Sequence, residues 1–124
     1  MGTIYQQVLV LGTKGKKKVK ALVDSGAETS FITKKLAEHL GIIGIVNTNA
    51  YLGDGSKISN AKMASCLISI KGLNFSLSVV IVDDLGKDDL VIGVDFLQEH
   101  DYILLFKNDS LKFKKRVSHK GYRL

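Results

Sequence analysis

One short motif constrains this 124-residue chain more than any other: the tetrapeptide Asp24-Ser25-Gly26-Ala27, which occurs once. It follows the apolar run at residues 19–23, which predicts a buried strand that ends at the aspartate. Asp-Ser-Gly is ordinary turn chemistry, because Asp accepts bonds from nearby backbone N–H groups and Gly readily takes a positive φ. The same turn can also present a carboxylate for catalysis. The triplet alone leaves both interpretations open.

A second motif lies downstream, in the segment 88–97, whose sequence is Asp-Asp-Leu-Val-Ile-Gly-Val-Asp-Phe-Leu. An apolar strand ends there at Gly93, and Asp95 is predicted to be the N-cap of a short helix. An apolar strand with Asp-Ser-Gly-Ala, followed later by Ile-Gly-x-Asp-x-Leu, resembles the retropepsin-like aspartic proteases. These include retroviral enzymes and the protease domain of DNA-damage-inducible-type proteins. The resemblance covers residues 4–113, with the order of elements intact.

The resemblance implies a mostly β fold, a closed or partly open β-barrel of the acid-protease half type with one or two short helices. Residues 1–124 are expected to form one domain, with its core at 4–113 and a basic tail at 114–124. Apolar runs bounded by turns predict strands at 4–11, 16–23, 57–70, 75–82, 102–106 and 110–113, with shorter extended segments at 30–32 and 91–93. Thr33 is the predicted N-cap of a helix over 34–40 that Gly41 ends, and a second short helix is predicted near 96–100.

Catalysis in the family that the chain resembles needs two aspartates that share one proton, because two carboxylates about 3 Å apart cannot both ionise. The sequence holds no second Asp-Ser/Thr-Gly triplet. The second carboxylate must then come from another copy of the chain. The resemblance therefore implies a homodimeric aspartic endopeptidase in which two Asp24 carboxylates activate one water. The expected partner is a peptide or protein substrate, and no cofactor or metal ion is expected.

The residues that follow Asp24 take their expected roles from the same resemblance. Ser25 and Gly26 would support the active-site loop, with the Ser25 hydroxyl bonding across the two-fold axis of the dimer. Gly26 lacks a Cβ, so the substrate backbone can come close to it. Ala27 would keep the central subsites small. Glu28 stands where viral relatives often carry an Asp that binds the substrate main chain, so it is either a substrate-binding group or a surface carboxylate.

Residues 51–58 are predicted to form a flap, a hairpin that closes over the substrate. Its candidate substrate-binding residues are Leu52, Gly53, Asp54 and Gly55. A plain β-turn is the alternative interpretation of this segment. The segment Val91-Ile92-Gly93 would lie beneath the Asp24 loop, where Val91 or Ile92 could line a subsite, although packing in the core is favoured.

The chain has a formal net charge of +6, with basic residues concentrated at 14–20 and 112–123. Such clusters can bind nucleic acid, but a solvated hairpin and a basic tail are favoured, because the chain lacks Trp and an alternating aromatic-basic strand. The single cysteine, Cys66, is predicted to be a buried, inert thiol in a reducing compartment. No signal pattern or long apolar stretch is present, so the sequence predicts a soluble cytoplasmic protein that does not bind membranes.

Two other functions compete with the endopeptidase. The first is a catalytically silent protease-like domain that binds peptides or mediates dimerisation, and the second is a nucleic-acid-binding barrel. The presence of Asp24, Ser25 and Gly26 together favours the endopeptidase. Its dimer interface is expected near Asp24 and near the strands at 102–113. Residues 117–124 are not expected there, because two basic tails would repel each other.

Overall fold

The computed structural model describes residues 2–51, 55–105 and 110–113. Those residues form strands and two short helices, in agreement with the predicted mostly β fold. In chain order the elements are β1 (Thr3–Gly12), β2 (Gly15–Asp24), β3 (Phe31–Thr33), α1 (Lys34–Leu40), β4 (Val46–Tyr51), β5 (Lys57–Ile70), β6 (Leu73–Val82), β7 (Leu90–Ile92), α2 (Val94–Glu99), β8 (Tyr102–Leu105) and β9 (Ser110–Phe113).

Six of the strands close into a barrel. Their order around the barrel is β1-β2-β7-β3-β6-β5, and β1 also pairs with β5, which completes the ring. The pairs β2–β7 and β3–β6 are parallel, and the other pairs in the ring are antiparallel. Strand β4 pairs with β5 at the edge of this sheet, and β8 with β9 forms a separate two-stranded sheet.

Alternation of side chains sets the two faces of β2. Val19, Ala21 and Val23 are buried, whereas Lys18 and Lys20, which alternate with them, are exposed. Successive side chains of a strand point to opposite faces, so the apolar set lies inside the barrel and the lysines lie outside it. The antiparallel partner β1 contributes its own buried set at the same level.

Two apolar clusters form the core. The main cluster fills the barrel and includes Val23, Ile68, Ile92 and Phe96. The second apolar cluster lies on the other side of the sheet. Its buried members are Phe31, Ala50, Ala61, Val80, Val82 and Val91, and its partly buried members are Leu22, Ala27, Ile58, Met63 and Leu85.

The two helices differ in how they begin. The Thr33 side chain accepts a bond from the Leu36 N–H at 3.3 Å, and Gly41 ends α1 with a φ of 73°, so both predicted caps of α1 are confirmed. Helix α2 is capped by Gly93 without a side-chain bond. The prediction that Asp95 is the N-cap was wrong, because Asp95 lies inside the first turn and its carboxylate bonds to other groups there.

The sequence analysis did not predict strand β4, Val46–Tyr51, and the other differences are small. The turn expected at residues 71–74 is shorter, because Leu73 and Asn74 already pair in the β5–β6 ladder. Strand β8 ends at Leu105, and residue 106 of the predicted strand lies outside the described residues. The predicted basic tail at 114–124 also lies outside them. In the part of the chain that the structure describes, no helix has both the length and the apolarity that crossing a membrane requires.

Candidate active site

Asp24 is the last residue of β2, and its side chain is partly exposed. The Gly26 N–H donates to Asp24 Oδ1 at 2.8 Å, and the Ala27 N–H donates to the Asp24 carbonyl at 3.1 Å. These bonds are the ones that an Asp in a tight turn makes, and they fix the direction of the carboxylate. The turn thus presents a carboxylate at the end of a buried strand.

Ser25 ties this turn to the beginning of the chain. Its N–H donates to the Gly2 carbonyl at 3.0 Å, and its hydroxyl accepts from the Gly2 N–H at 2.9 Å and donates to the Gly2 carbonyl at 3.2 Å. The hydroxyl therefore bonds within its own chain. The bond across a two-fold axis remains a prediction, because a single chain does not test it.

Residues 93–95, at the start of α2, are hydrogen-bonded to the Asp24 loop, which comprises residues 24–30. The Val94 N–H donates to the Ala27 carbonyl at 2.7 Å. The fully buried Ser30 hydroxyl donates to Asp95 Oδ1 at 2.9 Å and accepts from the Gly93 N–H at 2.9 Å. Three bonds therefore link the loop to residues 93–95, which lie more than sixty positions away along the chain.

The contact between these segments is so close that it requires glycine at position 93. A Cβ added to Gly93 would lie 2.6 Å from the Ala27 carbonyl oxygen and 2.6 Å from that of Thr29. Both neighbours are backbone atoms, so they cannot move aside as a flexible side chain can. The expectation that Val91-Ile92-Gly93 underlies the Asp24 loop therefore agrees with the contacts of Gly93.

Sequence reasoning missed Ser30 as a member of this site. Ser30 was predicted only as part of an extended segment, and Asp95 only as a helix cap. Two signals in the sequence could have indicated their contact. Ser30 precedes the apolar residues Phe31 and Ile32 and needs a bonding partner if it is buried with them, and Asp95 follows Gly93 of the second motif by two positions.

The register between β2 and β7 decides which residues face Asp24. Leu22 pairs with Val91 and Val23 pairs with Ile92 in this parallel pair. Leu22 and Val91 belong to the second apolar cluster, on the Asp24 side, whereas Ile92 is completely buried in the main cluster. For Ile92 this favours the core-packing interpretation over the subsite interpretation. Ala27, which the sequence predicted to line a subsite, lies in the second cluster.

The predicted flap segment belongs to the β4–β5 hairpin. Tyr51 pairs with Lys57 across it, and Ala50 pairs with Ile58, which are both in the second apolar cluster. The hairpin therefore covers the same apolar cluster that contains Leu22 and Ala27. The predicted tip residues Leu52, Gly53 and Asp54 lie outside the described residues, and Gly55 is exposed with a φ of 90°. Glu28 is exposed beyond the Asp24 turn.

The surroundings of Cys66 and Tyr5 shift the pKa of each side chain. Burial raises the pKa of the Cys66 thiol to about 11, so it is a neutral thiol near pH 7, as the sequence predicted for an inert cysteine. Among residues 2–51, 55–105 and 110–113, no group of three or more His, Cys, Asp or Glu side chains is arranged to hold a metal ion. Near the site, the Tyr5 hydroxyl donates to Asp88 Oδ1 at 2.9 Å, and this bond raises the pKa of Tyr5.

The chain is similar in sequence and in structure to known proteins. The sequence model of the family described as "Aspartyl protease" matches residues 4–105. A DDI1 homolog from Leishmania major is 28% identical to the chain over 96 residues, which are 75% of this chain and 24% of that protein. The chain spans about a quarter of the length of the curated relatives it matches.

Solved structures show the same fold. The retroviral protease-like domain of Ddi1 from Leishmania major matches with a TM-score of 0.65 and 24% identity, over 91% of this chain and 87% of that domain. A retropepsin-like aspartic protease from Rickettsia conorii matches with a TM-score of 0.59 and 24% identity, over 84% of this chain and 77% of that one. The predicted retropepsin-like barrel is confirmed.

Proposed function

This chain belongs to the aspartyl protease family, and on that premise we propose that it is an aspartic endopeptidase that acts as a homodimer. The observation that carries the proposal is the Asp24 turn. There a carboxylate at the end of a buried strand is fixed by the Gly26 N–H at 2.8 Å and remains partly exposed. One chain supplies one such turn, and two copies would supply the pair of carboxylates that this chemistry needs.

The two Asp24 carboxyls would hold one water between them. The ionised carboxyl would act as general base and remove a proton from the water as it attacks a peptide carbonyl. The protonated carboxyl would act as general acid toward the developing oxyanion. The pair titrates as a unit, so the rate is expected to follow a bell-shaped profile on the acid side of neutrality.

The neighbouring residues would position this pair and the substrate. Ser25, bonded to Gly2, and Gly26, which fixes the carboxylate, would keep the loop in one conformation. Ala27 and the rest of the second apolar cluster would favour substrates with apolar residues on either side of the cleaved bond. Glu28 and the segment Leu52-Gly53-Asp54-Gly55 would contact the substrate main chain from opposite sides. The dimer interface would lie near Asp24 and include β8 and β9.

The test is mass-spectrometric mapping of cleavage in a complex peptide library between pH 4 and 7, over a range of protein concentrations. The Asp24→Asn variant is expected to lose cleavage by about 10³-fold or more, because it removes the shared acid and base. Wild-type cleavage should rise more than linearly with concentration if two chains form the site. Asp83→Asn is the matched control, because it removes an exposed aspartate that has no role in the mechanism.

The outcomes separate the competing functions. Cleavage that is equal in wild type and Asp24→Asn would overturn the proposed mechanism. A dimeric protein that binds library peptides but cleaves none would instead be the catalytically silent module. Cleavage proportional to concentration at every dilution, from a protein that is monomeric throughout, would contradict the shared site.

A further inference from the structure

The face of β2 that carries Asp24 also carries a row of lysines. Side chains two positions apart lie on the same face of a strand, so Leu22 and then Lys20 follow Asp24 along this face. Lys18 and Lys16 continue it toward the hairpin turn. We call Lys16, Lys18 and Lys20 the lysine row. All three lysines are exposed, whereas the residues between Lys18 and Asp24 on the other face are buried.

Strand geometry sets the distance from Asp24 to the row. With a rise of roughly 3.3 Å per residue, Lys20 lies about 13 Å from Asp24 along the strand, and Lys16 lies about 26 Å away. A bound polypeptide in extended conformation has the same rise. For a polypeptide that runs from Asp24 along β2, the side chains about four to eight residues from the cleaved bond would reach the level of the lysine row.

In the described part of the chain, the lysines of the row form no ion pair. Across the β1–β2 ladder, Lys20 lies opposite Gln7, Lys18 opposite Leu9 and Lys16 opposite Leu11. Among the residues that the structure describes, no carboxylate oxygen lies within 4 Å of the ammonium groups of the row. This side of the molecule therefore offers a line of cations that extends from an apolar cluster.

Lys87, which is not part of the lysine row, lies near the end of the row that is closer to Asp24. The Nζ atoms of Lys20 and Lys87 lie 5.8 Å and 5.6 Å from the ring centroid of Tyr5. Tyr5 itself lies opposite Leu22, and its hydroxyl bonds to Asp88. The Asp88 carboxylate keeps its negative charge in this bond, and the two ammonium groups beside the Tyr5 ring exceed it, so this end of the row is still positively charged.

We propose that the substrates of this protein carry acidic residues beside the apolar cleaved segment, and that the lysine row binds those acidic residues. A two-fold dimer presents the row twice, so the acidic residues can lie on either side of the cleaved bond. The inference rests on the proposed function, because it assigns a substrate class to the same site. It also commits to an acidic polypeptide as the occupant, since the row continues from the face that carries Asp24.

Each pair of exposed charges contributes modestly, about 1.4- to 5-fold in an equilibrium constant. Three lysines that face two or three carboxylates are therefore expected to raise kcat/KM by roughly tenfold at low ionic strength. The contacts are exposed to solvent, so salt should screen most of this gain.

The experiment compares two synthetic peptides that share one apolar cleavage segment from the library. One peptide has Glu at positions four, six and eight from the cleaved bond, and the other has Gln there. Wild-type protein is expected to cleave the Glu peptide about tenfold faster at low salt and about equally at 0.5 M salt. The Glu residues lie before the cleaved bond in one pair of peptides and after it in another, and both pairs should show the preference.

Matched variants assign the preference to a surface. The Lys18→Gln/Lys20→Gln double variant is expected to reduce the ratio of the two kcat/KM values to about one. The Lys17→Gln/Lys35→Gln double variant removes the same net charge, but Lys17 and Lys35 line a separate depression with Leu36. It should keep the wild-type ratio. A preference that survives in the first variant, or that is absent in the wild type, would overturn the inference.

Binding to the Asp24→Asn protein separates this inference from the proposed function. Fluorescence anisotropy should show that the labelled Glu peptide binds the Asp24→Asn protein more tightly than the labelled Gln peptide does. Adding Lys18→Gln and Lys20→Gln to that protein should abolish the difference. That result without any Asp24-dependent cleavage would support the acidic docking surface and contradict the endopeptidase. Stronger binding of a single-stranded oligonucleotide at the same lysines would overturn the assignment to an acidic polypeptide.

Discussion

The Asp24 loop and the β4–β5 hairpin face the same apolar cluster, but different bonds hold them in place. The loop is bonded to Gly2 at the start of the chain and to residues 93–95 near its end. In the described residues β4 pairs only with β5, its ladder shifts register between Thr48 and Ala50, and Tyr51 is 65% exposed. The position of the carboxylate therefore depends on tertiary bonds, whereas the hairpin depends on local pairing.

This difference has a consequence for substitutions. A change at the supports of the Asp24 loop should lower stability and activity together, because the same bonds fix the barrel and the carboxylate. A change in the hairpin should alter activity without an exceptional cost in stability. Three substitutions test whether the two regions separate in this way.

The largest effect is expected for Gly93→Ala. The new methyl group would meet the carbonyl oxygens of Ala27 and Thr29 at 2.6 Å, so the loop or α2 must shift. Overpacking of this kind is expected to lower the free energy of unfolding by about 3 kcal/mol. It should also remove most of the peptide cleavage, because the loop carries Asp24. Urea denaturation and the peptide assay measure the two effects.

Gly86→Ala is the comparison for this substitution. An added Cβ at Gly86 meets nothing within 4 Å, and only its φ of 71° is unfavourable for alanine. Its cost should be about 1 kcal/mol. Equal losses in the two variants would show that the close approach at Gly93 does not constrain the loop.

A smaller loss is expected for Ser30→Ala. The substitution removes a buried hydroxyl and leaves the Gly93 N–H without that acceptor, while Asp95 loses a donor. The expected loss in the free energy of unfolding is about 2 kcal/mol. The value of kcat should fall by roughly tenfold with little change in KM, because Ser30 positions the loop without touching the substrate.

Ser65→Ala makes the same chemical change at an exposed hydroxyl, whose neighbour is Ser76 Oγ at 3.4 Å. It is expected to change stability by less than about 0.5 kcal/mol and to leave kcat unchanged. If Ser30→Ala behaves like this variant, the bonds to residues 93–95 do not set the position of Asp24.

The contrast between local and tertiary bonds also explains what the sequence could predict. Thr33 and Gly41 were identified as the caps of α1, because a cap is decided by residues within one turn of the helix. Ser30 and Asp95 were not paired, because they are 65 positions apart and nothing in either segment specifies the other. Asp95 was predicted to be the N-cap because an Asp before apolar helical residues is favourable there, but the N-cap of α2 is Gly93, two residues earlier.

The assignment of Ile92 depended on a register that the sequence does not specify. Val91 and Ile92 are both apolar, and a shift of one residue between β2 and β7 would exchange the faces on which they lie. The observed pairing of Leu22 with Val91 places Ile92 in the barrel. The sequence thus predicted the strand and the motif correctly, but it could not decide between the two alternatives for this side chain.

The smallest effect on stability, and the sharpest test of the hairpin, is Gly55→Ala compared with Gly72→Ala. Both glycines have positive φ, 90° and 84°, and an added Cβ meets nothing within 4 Å at either. Both variants should therefore lose about 1 kcal/mol of stability.

Gly55 belongs to the predicted flap tip, whereas Gly72 forms the turn between β5 and β6. Only Gly55→Ala should raise KM, by about two- to fivefold, because a stiffer tip adapts less well to the substrate. Equal KM values in the two variants would contradict a role of the β4–β5 hairpin in substrate binding. The hairpin would then be an ordinary turn at the edge of the sheet.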